Sequence, residues 1–296
     1  MHDLLHPPAH RGPLIAAGAL VLAVGVALLQ VRLDWSAGAQ FAIVLALAVG
    51  LLWLGLQAPR EGNAPYPHQS VLIVLALAAS EGALLRFADV LASGPFGAGT
   101  VAWTSALLTG LAAAVSARRM SAFAALVAAV AGGVAVAFGV IEVADPAPAV
   151  LRWLLLVLAF VFGLVSLPLR ATSLRHAAQM VNAAGLAVLA IGFVEPAVLP
   201  DLPAAWPAVV FVAGISLAAY AAADRAAGAA YLSAANLGAF LIGEADGGLV
   251  LWPLLLLVLG AVMLLAGLRP RRPLPPEPES STHPDDTPLT VRVRRG

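Results

Sequence analysis

The sequence predicts an all-α fold: a polytopic transmembrane helix bundle of about ten spans with both termini in the cytoplasm. Two observations carry this prediction. Of the 296 residues, 61% are hydrophobic and 11% charged, and the mean hydropathy of +0.94 lies far above that of soluble domains. Apolar runs of about 20 residues, enough to cross a bilayer as a helix, recur between short polar breaks. The runs lack the polar/apolar alternation of β-barrel strands.

Ten candidate spans divide the predicted transmembrane domain, residues 13–268. They lie near residues 13–31, 40–57, 70–91, 100–116, 121–141, 149–168, 176–194, 205–222, 228–243 and 249–268. The ninth is short and rich in alanine, so it is either a span or a re-entrant segment, and counts of eight or nine are the alternatives. The first resembles a signal peptide taken alone, but the spans that follow favour an uncleaved signal anchor.

The distribution of arginine predicts the orientation. With the N-terminus in the cytoplasm, only Arg32, Arg86 and Arg152 fall on the outer side of the membrane. Short cytoplasmic loops are enriched in positive residues, so this asymmetry favours two cytoplasmic termini and an even number of spans. The residues at cytoplasmic ends are Arg11, Arg60, Arg118, Arg119, Arg170, Arg175, Arg225, Arg269, Arg271 and Arg272.

Five tryptophans support the same register, because each stands near the outer start of an even-numbered span. We interpret them as an interfacial aromatic belt: Trp35, Trp103, Trp153, Trp206 and Trp252. From Trp103 onward they recur about every 50 residues, and each unit reads tryptophan, span, arginine-bearing turn, span, acidic turn. This pattern indicates repeated helical hairpins, which arise either from internal duplication or from the uniform span length that lipid imposes.

Two terminal segments flank the spans. Residues 1–12 are predicted to form a cytoplasmic N-terminal arm, and residues 269–296 a disordered Pro/Arg-rich cytoplasmic tail. The arginines of the tail either contact anionic lipid or simply end the topology. A protein partner of this tail is a further alternative.

Glu81 is the charged residue nearest the bilayer midplane, where charge is costly and marks functional candidates. Arg86 and Asp89 lie nearer the outer surface and share a helix face, which predicts an ion pair at the outer interface. Glu81 cannot reach Arg86 on the same helix. It therefore either lines a polar cavity and binds a proton or cation, or forms a structural hydrogen bond to another helix.

Further polar side chains lie near the middle of odd-numbered spans, as Glu81 does. They are Gln179 and Asn182 in the seventh span and Ser233 and Asn236 in the ninth. If the odd-numbered helices cluster, these residues form one midplane site with Glu81. The alternative is that they only join helices, at about 0.6 kcal/mol each.

Composition excludes several chemistries. All 16 basic residues are arginine, which excludes a lysine Schiff base. There is no cysteine, so disulfides, thiolate metal sites and iron–sulfur clusters are excluded. Pro7 and Pro8 interrupt the histidines of the N-terminal arm, and no hydrolase, metalloprotease or nucleotide-binding motif is found. We therefore expect no metal, no cofactor, no nucleic-acid partner and no enzyme activity.

Residues 18–56, and "RLDW" above all, resemble the first hairpin of bacterial polytopic membrane proteins grouped as families of unknown function. That resemblance implies a bacterial inner-membrane protein and no particular activity. The predicted ten spans also resemble the five-plus-five architecture of drug/metabolite transporters, as an architectural analogy. The use of arginine without lysine, together with the high content of alanine, glycine and proline, likewise indicates a high-GC bacterial genome.

Two functions remain open at this point. The first is a small-solute transporter or permease that uses the midplane site. The second is a non-catalytic membrane scaffold or sensor that acts through helix packing and its cytoplasmic tail.

Overall fold

The computed structural model describes residues 12–32, 35–57, 67–91, 96–194, 205–224 and 226–244. Within these ranges every regular element is helical: α1 (Gly12–Arg32), α2 (Ala37–Gln57), α3 (Pro67–Leu91), α4 (Ala98–Arg119), α5 (Ala122–Ala144), α6 (Pro148–Thr172), α7 (Leu174–Ile191), α8 (Ala205–Asp224) and α9 (Ala227–Glu244). These helices match the first nine predicted spans to within about four residues, so the all-helical prediction is confirmed. The predicted span 249–268, the tail 269–296 and residues 1–11 lie outside the described residues.

The described helices have the composition of membrane spans. Eight of them, α1 to α8, are long and apolar enough to cross a bilayer, and α9 is not among the eight. Large apolar side chains midway along the helices lie on the protein surface, and Val49, Leu107 and Phe160 are each more than half exposed. Contact of such surface with water is unfavourable by about 25 cal/mol per Å². The helices are therefore compatible with an integral, multi-pass membrane protein whose surroundings are lipid.

Very short turns create two of the hairpins. Met120 and Ser121 join α4 to α5, and Ser173 alone joins α6 to α7. Met120 has a left-handed backbone with φ 55°, which reverses the chain. Each serine caps the helix that follows, since Ser121 Oγ accepts from Ala124 N at 3.3 Å and Ser173 Oγ accepts from His176 N at 3.5 Å. The caps satisfy backbone donors that the first helical turn leaves without partners.

Hairpins are the main packing unit of the bundle. The pairs α2–α3, α4–α5, α6–α7 and α8–α9 pack most extensively, and each odd-numbered helix also contacts the next odd-numbered helix, from α1 to α9. The bundle is thus a row of odd-numbered helices to which even-numbered helices attach. Each described hairpin begins near one of the predicted belt tryptophans. Internal duplication of the hairpin stays a prediction.

The buried apolar side chains form three clusters along this row. One joins α1, α2 and α3 through Ala19, Leu51, Leu72 and Ala76. A second joins α3, α4 and α5, with Leu77 and Ala112 fully buried. A third joins α6 to α9 around Ile191, Val210 and Phe240. Helix α5 belongs to the second cluster and also contacts α7, so it lies between α3 and α7 in the row.

The two ends of the bundle carry different polar contacts. The tryptophan end is the one with Trp35, Trp103, Trp153 and Trp206, and the arginine end is the one with Arg118, Arg119, Arg170 and Arg175. At the tryptophan end, Glu142 Oε2 accepts a hydrogen bond from Gly99 N, 2.7 Å away in the first turn of α4. A carboxylate is stabilised there by the helix dipole. At the arginine end, an ion pair between Arg170 and Asp224 links the last turns of α6 and α8.

Candidate functional site

Glu81 lies about midway along α3 and is bound by two hydroxyl groups of α4. Thr104 Oγ1 donates to Glu81 Oε1 at 2.9 Å, and Ser105 Oγ donates to the same oxygen at 3.1 Å. Thr104 is fully buried and Ser105 is nearly so. Thr104 Oγ1 also lies 3.2 Å from Val101 O, so the contact with Glu81 is the shorter of its two. These three residues, Glu81, Thr104 and Ser105, are the Glu81 cluster.

The second carboxyl oxygen of Glu81 has a different environment. Glu81 Oε2 is buried and has no hydrogen-bond partner among the described residues. Burial of a polar atom without a partner costs about 1–3 kcal/mol, and more for a charged group. A proton, a cation or a donor group of a bound molecule would remove that cost. The Glu81 cluster therefore holds one carboxyl oxygen by two hydrogen bonds and leaves the other buried without a partner among the described residues.

Several other hydroxyl groups inside these helices behave differently from Thr104 and Ser105. Ser80, Thr109 and Ser216 each donate to the backbone carbonyl four residues earlier in their own helix, at 2.7–2.8 Å. Such bonds are local and join no two helices. A hydroxyl group can bind a carboxylate of a neighbouring helix only if it faces that helix at the depth of the carboxylate. Thr104 and Ser105 face Glu81 in this way.

The amide and hydroxyl groups of α9 form a second arrangement. Asn236 Nδ2 donates to Leu232 O at 2.8 Å and to Gly185 O of α7 at 3.3 Å. Ser233 Oγ donates to Gly214 O of α8 at 2.8 Å. Asn236 and Ser233 are fully buried. We call this arrangement, in which side chains of α9 bond glycine carbonyls of α7 and α8, the glycine contacts.

Glycine lets neighbouring side chains approach the helix backbone closely at these positions. A Cβ atom at Gly214 would lie 2.8 Å from Leu237 Cγ, and one at Gly185 would lie 2.9 Å from Leu217 Cδ1. Both distances are shorter than van der Waals contact allows. Small residues that permit such approach are typical of helix interfaces in membranes.

Asn182 and Gln179 lie on α7, close to these contacts. Asn182 Nδ2 donates to Gln179 Oε1 at 3.0 Å on the same helix. A Cβ atom at Gly228 would lie 2.5 Å from Asn182 Nδ2, so Asn182 is pressed against α9. The Oδ1 atoms of Asn182 and Asn236 are buried without hydrogen-bond partners among the described residues.

The five residues predicted to form one midplane site are therefore divided between two regions. Glu81 bonds to α4, whereas Gln179, Asn182, Ser233 and Asn236 bond within α7 to α9. In the described part of the chain, the hydrogen bonds of these five side chains do not cross from one region to the other. The physical reason is the row of odd-numbered helices, in which α5 lies between α3 and α7. The hydrogen bonds of these five side chains thus form two separate groups in the described part of the chain, and a shared midplane site stays a prediction.

The predicted ion pair and aromatic belt lie as follows. Arg86 Nη1 and Asp89 Oδ2 are 3.8 Å apart, one helical turn from each other, and both side chains are 32% exposed. Trp35, Trp103 and Trp153 are 39%, 36% and 60% exposed, but Trp206 is only 7% exposed.

Trp206 instead packs against its neighbours. Its ring meets that of Trp153 edge to face, with centroids 5.2 Å apart. It belongs to the apolar cluster of α6 to α9, so it contributes to helix packing more than to the surface. Trp252 lies outside the described residues, and the depth of all these rings in a membrane stays a prediction.

Sequence reasoning did not single out Thr104 or Ser105. A usable signal was their depth: Glu81 lies about ten residues before the end of α3, and Thr104 about six residues after the start of α4. Adjacent antiparallel helices bring such positions to similar depths. In the described part of the chain, no group of three His, Asp or Glu side chains is placed to hold a metal ion.

Comparison with protein-family models, with curated proteins and with solved structures finds no match for this chain. The class of the protein therefore follows from its own helices, which are those of a multi-pass membrane protein.

Proposed function

We propose that the protein is a small-solute transporter of the bacterial inner membrane in which Glu81 binds a proton or a small cation. The observation that carries the proposal is the buried, unpartnered Oε2 atom of Glu81, midway along an apolar helix in the described part of the chain. Ionisable groups inside membrane helices are costly and are associated with ion and proton pathways.

The Glu81 cluster supplies a simple binding step. Thr104 and Ser105 donate to Oε1 and so fix the orientation of the carboxyl group. Oε2 then receives the proton or cation, whose charge offsets the cost of a carboxylate in apolar surroundings. Release of that ion leaves the carboxylate held only by the two hydroxyl groups. Alternation between these two states is the elementary event that couples binding to movement of the solute.

The location of Glu81 supports this role. Helix α3 contacts α1, α2, α4 and α5, so a change at Glu81 can reach four neighbouring helices. The predicted ten spans resemble the architecture of drug/metabolite transporters, and this analogy is part of the proposal. The orientation with both termini in the cytoplasm belongs to the same proposal.

A second candidate is a membrane scaffold in which Glu81 only joins α3 to α4. The observation that favours it is the pair of hydroxyl donors on Oε1, which makes a good interhelical contact without any ligand. In that case the contact needs an oxygen acceptor but no ionisable group.

Substitution of Glu81 by glutamine separates these two candidates. The glutamine carbonyl can still accept from Thr104 and Ser105, but the side chain no longer takes up a proton or a cation as a carboxylate does. We expect Glu81→Gln to abolish ion flux and Glu81→Asp to keep part of it. The measurement uses purified full-length protein in vesicles with an imposed membrane potential, with proton entry followed by an internal pH dye and sodium entry by an isotope.

Glu142→Gln is the matched control, because it also neutralises a carboxylate that joins two helices while its carbonyl can still accept from Gly99 N. Its flux should equal that of the wild type. Equal flux through wild type and Glu81→Gln would contradict the transport proposal and favour the scaffold.

A further inference from the structure

A groove of about 730 Å³ opens at the arginine end of the bundle between α3, the α4–α5 turn and α7. Its walls are mainly apolar, with Val71 and Val74 from α3 and Phe123 from α5. Its polar groups are Ser70, Arg175 and Gln179, which lie in the first two turns of α3 and α7. The groove thus combines apolar walls with one cation at its end. Its volume lies within the roughly 300–1,000 Å³ range of small-molecule sites.

Arg175 gives this groove a definite charge preference. Its side chain is exposed and makes neither a hydrogen bond nor an ion pair within the described ranges. It is the second residue of α7, so the positive end of the helix dipole adds to its charge. Arg118 and Arg119 immediately precede Met120, another residue of the groove wall. The acidic side chain described at this end, Asp224, is paired with Arg170.

Two other described grooves lack such a group. The groove of about 670 Å³ between α6, α7 and α8 has Ser216 as its single polar lining residue, and the groove of about 340 Å³ between α5, α6 and α7 is lined by apolar residues and Gly133. Nothing in these two grooves distinguishes one lipid headgroup from another. Arg175 therefore distinguishes the groove at the arginine end from the other two, because its charge favours a negatively charged headgroup.

We infer that the groove at Arg175 binds one anionic diacyl phospholipid. The phosphate of the headgroup pairs with the guanidinium of Arg175, which can donate two parallel hydrogen bonds to it. An acyl chain lies along Val71, Val74 and Phe123, where it removes apolar surface from water at the membrane boundary. This site is separate from the Glu81 cluster and does not depend on the proposed transport activity.

Native mass spectrometry of the full-length protein released from detergent tests the site. The probes are phosphatidylglycerol, phosphatidylcholine with the same acyl chains, and glycerol 3-phosphate as a headgroup without chains. A single basic residue near anionic lipid contributes about a fivefold change in affinity. We expect the first bound phosphatidylglycerol to be at least about fivefold tighter than phosphatidylcholine.

Arg175→Gln should abolish this preference. The matched control is Arg32→Gln, which removes an exposed arginine at the opposite end of the bundle and should leave the preference unchanged. Ala178→Phe fills the groove and should weaken binding of both lipids. Equal preference in Arg175→Gln and Arg32→Gln would overturn the inference, as would glycerol 3-phosphate that displaces phosphatidylglycerol completely. If Ala178→Phe does not fold, the two arginine variants still decide the question.

Discussion

Glu81 and Asn236 are both polar residues near the middle of odd-numbered helices, yet they bond to different kinds of partner. Glu81 receives hydrogen bonds from two side chains of α4, whereas Asn236 donates to backbone carbonyls of α7 and of its own helix. A backbone carbonyl is fixed in place by its helix and offers no exchangeable site. The comparison therefore assigns the backbone bonds of Asn236 to packing. The proposed ligand binding rests on the ionisable carboxyl group of Glu81, which the amides of Asn182 and Asn236 do not have.

The glycine contacts should be the more sensitive of the two regions to added volume. In Gly214→Ala the new methyl group would lie 2.8 Å from Leu237 Cγ, so either the Leu237 side chain must shift or α8 and α9 must separate. We expect a loss of about 1–3 kcal/mol in the free energy of unfolding, the usual cost of overpacking. Unfolding of the purified protein in detergent micelles measures it.

Gly238→Ala is the control for this substitution. It adds the same methyl group to α9, next to Leu237, but at a position where no described atom outside the adjoining backbone and chain neighbours lies within 4 Å of the new Cβ. Since alanine is a better helix former than glycine, Gly238→Ala should be neutral or stabilising. Equal destabilisation by the two substitutions would contradict the close approach of α8 and α9.

The Glu81 cluster should respond to loss of donors and not to volume. Thr104→Val with Ser105→Ala removes both hydroxyl groups and leaves the part-buried Glu81 Oε1 without its two donors. We expect a loss of about 1–2 kcal/mol in the free energy of unfolding, because a buried acceptor without a donor is costly. Unfolding in micelles, with the double substitution made both in the wild-type chain and in the Glu81→Leu variant, measures the coupling between the residues.

Thr109→Val provides the matched control on the same helix. Its hydroxyl donates to Ser105 O within α4, so its loss should cost only a few tenths of a kcal/mol. If the cost of Thr104→Val with Ser105→Ala persists in the Glu81→Leu variant, the hydroxyl groups stabilise α4 by themselves, and the Glu81 cluster is not a unit.

The sequence predicts the helices of this bundle much better than their contacts. Helix ends are predictable because Arg, Pro, Ser and acidic residues interrupt the apolar runs, and Ser121 and Ser173 stand where the helices restart. Glu81 is also recognisable from the sequence, because it is a charged residue inside an apolar run. Its partners are not, since Thr104 and Ser105 differ from the other hydroxyl residues only in the helix that they face.

The shared midplane site shows the same limit. The odd-numbered helices do contact one another, as the sequence hypothesis required, but they do so in a row, and α5 lies between α3 and α7. The positions of Glu81, Asn182 and Asn236 within their predicted spans place them at similar depths. These positions do not specify which helices are neighbours, and in lipid the apolar faces alone select no particular neighbour.

Glu142 completes the comparison, because it is a second carboxylate that joins two helices but lies at the end of the bundle. Its Oε2 atom accepts from Gly99 N in the first turn of α4, where the helix dipole favours negative charge. Glu142→Ala should therefore lower the free energy of unfolding by only about 0.3–1 kcal/mol, and Glu142→Gln by less, since its carbonyl keeps the hydrogen bond. Unfolding in micelles at low and high salt measures both effects, and the difference between the two variants should shrink in salt because it reflects charge. A loss from Glu142→Ala larger than that from the Thr104 and Ser105 double substitution would contradict this expected order of effects. In that case the carboxylate at the helix end, and not the one inside the bilayer, would be the main polar link between neighbouring helices in this part of the bundle.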